Sequence, residues 1–344
     1  MCRTNQISKH MVSIKDIAKA LSVSPSSVSL VLTGKAKERR ISEALSKKIV
    51  DTANEMGYQP NQAAVSLRTG KSKTIGLLVE DISNHFFSSL AHTIQEEARR
   101  YHYNVVYSST ENDPQKGKEV LQLLFNQRVD GYIITPTQGM QAEIEQLVKR
   151  EKPLVLMDRC FPGLEAPYVM VDNYKGVQMG IDYLLKKGSR KIGYVTVNLD
   201  LQHMQEREKA YADTLKAKGI RLSKDRILRL SYDAPKAEAV AQIQAFLKNA
   251  DLDAVFFATN YLGLNGLVAL RDLHLRLPED LKVLCFDDHD VFELFQPGIS
   301  VIQQPIQEIA QTALQLLVAQ LGHSKLPRKT QVLIAPRLLL RSSA

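Results

Sequence analysis

The chain has 344 residues, 44% of them hydrophobic and 24% charged, with no tryptophan; this fits two or three globular domains and excludes wholesale disorder and collagen-like repeats. Its net charge of +8 lies wholly at one end: through Lys73 thirteen Lys and Arg oppose five Asp and Glu, and the remainder carries thirty-two of each, so only the first section is expected to seek a polyanion. Three cysteines without CxxC spacing exclude a disulfide framework and a zinc ribbon, and no apolar run has the length of a signal peptide or membrane span, so a reduced cytoplasmic setting away from membranes is expected.

Residues 1–11 are polar and patternless and read as an extension. Ser13 and Asp16 then form an S-x-x-D cap before Ile14, Ile17, Ala18 and Leu21, which share one helix face. Ser24 caps a second helix with Pro25 at its first position, and Val28, Val31 and Leu32 supply its apolar face. Only Ser22 and Val23 separate the two, a spacing that predicts a helix-turn-helix whose second helix can enter a major groove. A third helix is expected from Ser42 to Gly57, with Leu45, Ile49, Ala53 and Met56 on its inner side. A capped helical pair also occurs in ordinary soluble proteins, but the local charge favours DNA. Lys35, Lys37, Arg39 and Arg40 lie between the second and third helices, where cations can meet phosphates and fix register. After Pro60, Asn61 to Arg68 reads as a two-turn helix, marginal alone, whose folding on docking would couple DNA binding to the next domain. Within it Ala64 permits close approach of two copies, and Leu67 is the apolar group able to wedge into a minor-groove step.

Val12–Lys19 (VSIKDIAK), Val23–Ser29 (VSPSSVS), Gly57–Asn61 (GYQPN) and Thr74–Leu78 (TIGLL) together resemble the lactose/galactose repressor (LacI/GalR) family of bacterial transcription regulators, and the likeness extends over nearly the whole chain. The resemblance implies a homodimer whose two headpieces read a palindromic operator, with a hinge helix in the central minor groove. By position it assigns DNA contact to Ser24, Pro25, Ser26, Ser27 and Ser29 of the recognition helix, to Lys35 and Arg39 after it, and to Asn61, Ala64 and Leu67 of the hinge. One departure is Leu30, which stands where relatives commonly carry Arg or another polar residue and cannot hydrogen-bond a base edge. The expected division is a headpiece at 12–60, hinge and linker at 61–73, and an effector domain at 74–344.

From Thr74 onward apolar runs alternate with helical patterns, at Ile75–Val79, Val105–Tyr107, Tyr132–Ile134 and Leu154–Met157, and again at Ile192–Val195, Ile227–Leu230, Val255–Ala258 and Val283–Phe286. Two α/β lobes with parallel sheets are expected. The overall fold is thus a small all-α headpiece plus a two-lobed domain, which the resemblance makes periplasmic-binding-protein-like (type I). It also implies three crossings between lobes, near Asn173, near Gln304 and close to Val332–Ile334, with a first lobe of about 74–172 and 304–330 and a second of about 173–303 and 331–344. No GxGxxG, Walker or GxSxG motif and no paired histidines occur, so no catalytic residue, cofactor or metal is expected. Family positions instead give effector contacts at His85, Phe86, Asp158, Arg159, His203, Arg207, Asn260 and Asp287, a set of charged forks and an apolar platform suited to a sugar or similar polar metabolite. Asn260 stands where many relatives have Asp, which changes charge and donor count. A stand-alone cleft-type sugar receptor and a sugar-modifying enzyme are the other readings; the basic headpiece argues against the first and the missing catalytic motifs against the second.

Overall fold

The computed structural model describes residues 12–60, 65–66 and 69–344, and the chain divides into one unit ending at Ser72 and another beginning at Lys73. In the first unit, α1 (Ile14–Leu21) opens with a full capping box: Ser13 Oγ accepts from the Asp16 backbone N–H, and Asp16 Oδ2 accepts from the Ser13 N–H at 2.8 Å. It stops at Ser22, whose φ of 53° turns the chain sharply into α2 (Pro25–Leu32). Ser42 Oγ caps α3 (Glu43–Glu55) by accepting from the Leu45 N–H at 3.3 Å, and Gly57 leaves the helix at φ +68°, a conformation glycine adopts without strain. Ile17, Ala18, Val28, Val31, Ile49 and Ala53 are buried between the three helices, as their spacing predicts. Asn61, Ala64 and Leu67 lie outside the described residues.

The second unit holds two sheets of matching design. The first lobe comprises β1 (Thr74–Val79), β2 (Asn104–Ser109), β3 (Gly131–Ile134), β4 (Leu154–Met157), β5 (Tyr168–Val171) and β11 (Gln331–Ile334), in spatial order β11-β5-β4-β3-β1-β2 and wholly parallel. The second comprises β6 (Ile192–Val197), β7 (Ile227–Leu230), β8 (Ala254–Phe257), β9 (Lys282–Phe286), β10 (Ser300–Gln303) and β12 (Arg337–Leu339), in order β12-β10-β9-β8-β6-β7, with only β12 antiparallel. Helices α4 (His85–Arg99), α5 (Pro114–Asn126), α6 (Gln141–Lys149) and α12 (Ile306–Gln320) cover the first sheet; α7 (Asn173–Lys186), α8 (Gln202–Ala217), α9 (Lys236–Asn249) and α10 (Asn260–Asp272) cover the second, with a short α11 (Asp290–Leu294) after β9. Glycine permits the closest of these approaches: a Cβ on Gly266 of α10 would stand 2.2 Å from Phe257 Cζ on β8.

All eight apolar runs read from the sequence are strands. β5, β10 and β12 were not among them, because short strands with alternating burial or edge positions leave little periodicity. One boundary needs correction. The sequence reading put residues 331–344 in the second lobe, but Gln331–Ile334 pairs in parallel with β5, so the third crossing falls after Ile334, and only β12 and the chain end return to the second sheet. The pattern of β11 reveals a strand; only pairing reveals which sheet receives it.

Candidate functional site

In an open parallel sheet, ligands sit beyond the carboxyl ends of the strands, where loops of neighbouring strands diverge. Here those ends belong to both lobes and meet across a cleft. Asp158 directly follows β4 and Asp287 directly follows β9, the matching strand of the second sheet. Both are held at positive φ, 67° and 71°, a backbone state that is strained for a residue with a Cβ and is tolerated best by Asn and Asp. The pseudo-equivalent turns thereby direct one carboxyl from each lobe towards the same space.

Arg207, on the second turn of α8, is 3% exposed and fixed on three sides. Its Nε donates to Asn173 Oδ1 at 2.8 Å, its Nη1 donates to the Ala258 carbonyl at 2.7 Å, and its guanidinium lies 3.6 Å from the centre of the Phe286 ring. Asp287 Oδ2 stands 3.9 Å from Nη1, within ion-pair range but too far for a hydrogen bond, while its Oδ1 accepts from Gln304 Nε2 at 2.7 Å. A surface pairing of Arg207 with its neighbours is excluded, since Glu208 pairs with Arg229. Burial raises the Asp287 carboxyl, against the pull of Arg207.

The first lobe contributes Asp158 and Arg159. Arg159 is ion-paired with Glu80, the residue after β1, and its Nη1 donates to Asn112 Oδ1 at 2.6 Å. Burial pushes the Asp158 carboxyl up to about 7, opposed by Arg207 and reinforced by Asp287, and lowers Arg159 to about 10. Two contacts join the lobes directly: the Tyr232 hydroxyl donates to Glu80 Oε1 at 3.0 Å, and Asn260 Nδ2 donates to Asn84 Oδ1 at 3.0 Å.

Phe86, Asp158, Arg159, His203, Arg207, Asn260 and Asp287 all line one cavity between the lobes. Its volume of about 40 Å³ is near that of a single water, so the lobes stand closed. His85 is placed differently. It lies at the cleft mouth and in an adjoining groove of about 440 Å³, its ring 4.8 Å from that of His289, because the first residue of α4 turns away as Phe86 turns inward. The sequence reading missed Glu80, Asn84, Thr259, Tyr261 and Gln304, which also line the cavity. A position one to four residues beyond a strand's carboxyl end was the available signal for Glu80 and Gln304. Nothing marked Asn84, which doubles as the N-cap of α4 by accepting from the Phe86 N–H at 3.0 Å.

In the headpiece, Ser24 Oγ accepts from the Ser27 N–H at 3.1 Å and meets Ser27 Oγ at 2.9 Å, so these two hydroxyls hold the start of α2. Pro25 and Ser26 are exposed beside them, Ser29 is half-buried, and Lys35 and Arg39 are exposed in the connection to α3. Among the described residues no group of three or more His, Cys, Asp or Glu is arranged to hold a metal ion, and no helix is long and apolar enough to cross a membrane.

Comparison with known proteins meets this geometry. Residues 13–61 match the profile of bacterial regulatory proteins of the lacI family, and residues 181–344 match that of a periplasmic binding protein-like domain. The ribose operon repressor of Haemophilus influenzae is 30% identical over 335 residues, 97% of this chain and 98% of that protein. The chain belongs to the lacI family of bacterial regulatory proteins. Across its full length it is also 31% identical to the HTH-type transcriptional regulator PtxS of Pseudomonas plecoglossicida, of which 98% is covered. Among solved structures, the transcriptional regulator CelR in complex with cellobiose matches with a TM-score of 0.70 at 23% identity, over 97% of this chain and all of that one. CcpA of Lactococcus lactis matches at 0.70 and 20% identity, over 78% of this chain and 98% of that one. Like the family, this chain is a DNA-binding transcriptional regulator with a helix-turn-helix headpiece and a two-lobed domain of the type I binding-protein fold.

Proposed function

We propose that this regulator is a cytoplasmic repressor that binds a palindromic operator as a homodimer and is controlled by a small polyhydroxylated metabolite held between its lobes. The headpiece at 12–60 places α2 in the major groove, where Pro25, Ser26 and Ser29 meet base edges and Lys35 and Arg39 meet phosphates. Residues 61–73 form the hinge, with Asn61 and Ala64 at its minor-groove face and Leu67 as the wedge. The domain at 74–344 binds the effector and dimerises, and acts by binding alone, without turnover.

The observation that carries the effector reading is the buried set of opposed charges in one cavity, Asp158 and Arg159 from the first lobe and Arg207 and Asp287 from the second. Such groups are costly to bury unless partnered, and the hydroxyls of a sugar partner them. Ligand pockets hold about 300–1,000 Å³, far more than the closed cavity, so a ligand must part the lobes or displace side chains to enter. That requirement gives the ligand unequal affinity for two lobe arrangements, the condition for shifting an equilibrium. Relatives named for ribose control and a structural neighbour holding cellobiose support a carbohydrate.

Operator selection from random duplexes, followed by anisotropy titrations across salt with and without sugars, tests the reading. An inverted repeat should emerge, and one or more sugars should change its affinity without being consumed. Leu67→Ala should weaken the selected site while sparing salt-dependent binding to random DNA. No preference for any inverted repeat, whatever the added sugar, would overturn the proposal.

A further inference from the structure

We infer that His203 is a specificity-determining residue of the cleft, its Nδ1 meeting a hydroxyl of an uncharged sugar, and that the cleft rejects the corresponding sugar acid. The inference rests on the effector reading above and narrows it.

His203 sits at the start of α8, one turn before Arg207, so the i, i+4 relation puts both side chains on one face of the helix and into one cavity. It is 9% exposed, yet its Nδ1 has no hydrogen-bond partner. Arg159 Nε, in a side chain 6% exposed that lines the same cavity, likewise makes no hydrogen bond; its approach to Asp158 Oδ2, at 3.4 Å, is of ion-pair range only. Buried polar nitrogens left unsatisfied are costly and uncommon in folded proteins. Two of them facing one cavity mark the place where a ligand supplies the missing atoms.

The charge inventory selects the ligand. The cavity already holds three carboxyl groups, Glu80, Asp158 and Asp287, against two guanidinium groups, Arg159 and Arg207. Arg159 is committed to Glu80, and Arg207 stands beside Asp287. A ligand carboxylate would enter as a fourth anion with no free cation to meet it. Nor does His203 supply one: burial, together with the positive charges of Arg159 and Arg207, holds its imidazole well below the usual histidine range. A neutral imidazole nitrogen either donates or accepts according to its tautomer. A sugar hydroxyl can answer in either sense, whereas a carboxylate can only accept.

The experiment is calorimetry on the full chain with matched pairs: D-ribose and D-ribonate, D-glucose and D-gluconate, D-galactose and D-galactonate. The wild type should bind at least one sugar and prefer it to its acid tenfold or more. The carboxamide of Asn reaches about as far as Nδ1, while that of Gln reaches about as far as Nε2, so substitutions separate the role of Nδ1 from general packing. His203→Asn should keep sugar affinity within about threefold, while His203→Gln and His203→Leu each lose about tenfold. His203→Lys should turn the preference towards the acid. Should the Leu variant fail to fold, the contrast between Asn and Gln still decides. An acid bound more tightly than its sugar by the wild type, or equal affinity in the Asn and Gln variants, overturns this inference while leaving the effector cleft in place. If no member of any pair binds, the effector reading falls and this inference with it.

Discussion

Replacing Arg207 by methionine tests whether the buried charges form a unit. The substitution removes the hydrogen bonds to Asn173 and to the Ala258 carbonyl, at 2.8 and 2.7 Å, and the cation lying 3.6 Å from the Phe286 ring, while the methionine chain still covers that ring. It also leaves Asp287 buried without its cation. Removing one partner of a buried pair costs about 3–5 kcal/mol, because the other charge stays behind unpaired. At roughly 2–4 °C of melting temperature per kcal/mol for a domain of this size, the loss is about 6–20 °C at neutral pH. The sign of the pH dependence follows from Asp287. Its carboxyl is already raised by burial and held back by Arg207, so without that cation it rises further. A raised carboxyl contributes stability at low pH that is lost as pH climbs through its folded value, so the penalty should be small at pH 5 and large at pH 8. Adding Asp287→Asn should recover at least half of it, since a neutral amide needs no cation. Thermal unfolding of the single and double variants at both pH values measures this. A cost below about 1 kcal/mol at pH 8, or an equal cost in the Asp287→Asn background, refutes the reasoning.

Asp158, raised from 3.8 to about 7, should contribute stability to the closed lobes that is present below its unfolded value and lost as pH rises through about 7. Between pH 5 and 8 the melting temperature of the wild type should therefore fall relative to Asp158→Asn; parallel curves would show that the carboxyl is not desolvated. Gly266→Ala would place a Cβ 2.2 Å from Cζ of Phe257, a fully buried ring with little freedom to move, and should cost about 1–3 kcal/mol in denaturant unfolding.

The candidate site was partly legible in the sequence. Arg207, Asp287 and Asp158 could be found because family motifs and strand ends point to them, and Asn260 because it opens a helix directly after β8. Glu80 was passed over because an acid after a strand resembles any solvated loop charge until its ion pair with Arg159 is visible. Tyr232 and Asn84 join the lobes through bonds spanning 152 and 176 residues, a separation no local pattern encodes. His85 and Phe86 are adjacent in sequence yet diverge, since neighbours on a helix point about 100° apart.

By itself the sequence determined what local chemistry controls. Ser13, Ser24 and Ser42 start three helices, apolar runs make the buried parallel strands, and the surplus of cations ahead of Lys73 marks the end that meets a polyanion. Tertiary structure alone decided which sheet took Gln331–Ile334, which acids paired with which arginines, and that His203 stayed buried with a nitrogen unmet. Helix caps and strand periodicity act over a few residues and are written in neighbouring letters. Pairing and desolvation depend on which distant segments are brought together, and only the folded chain fixes that.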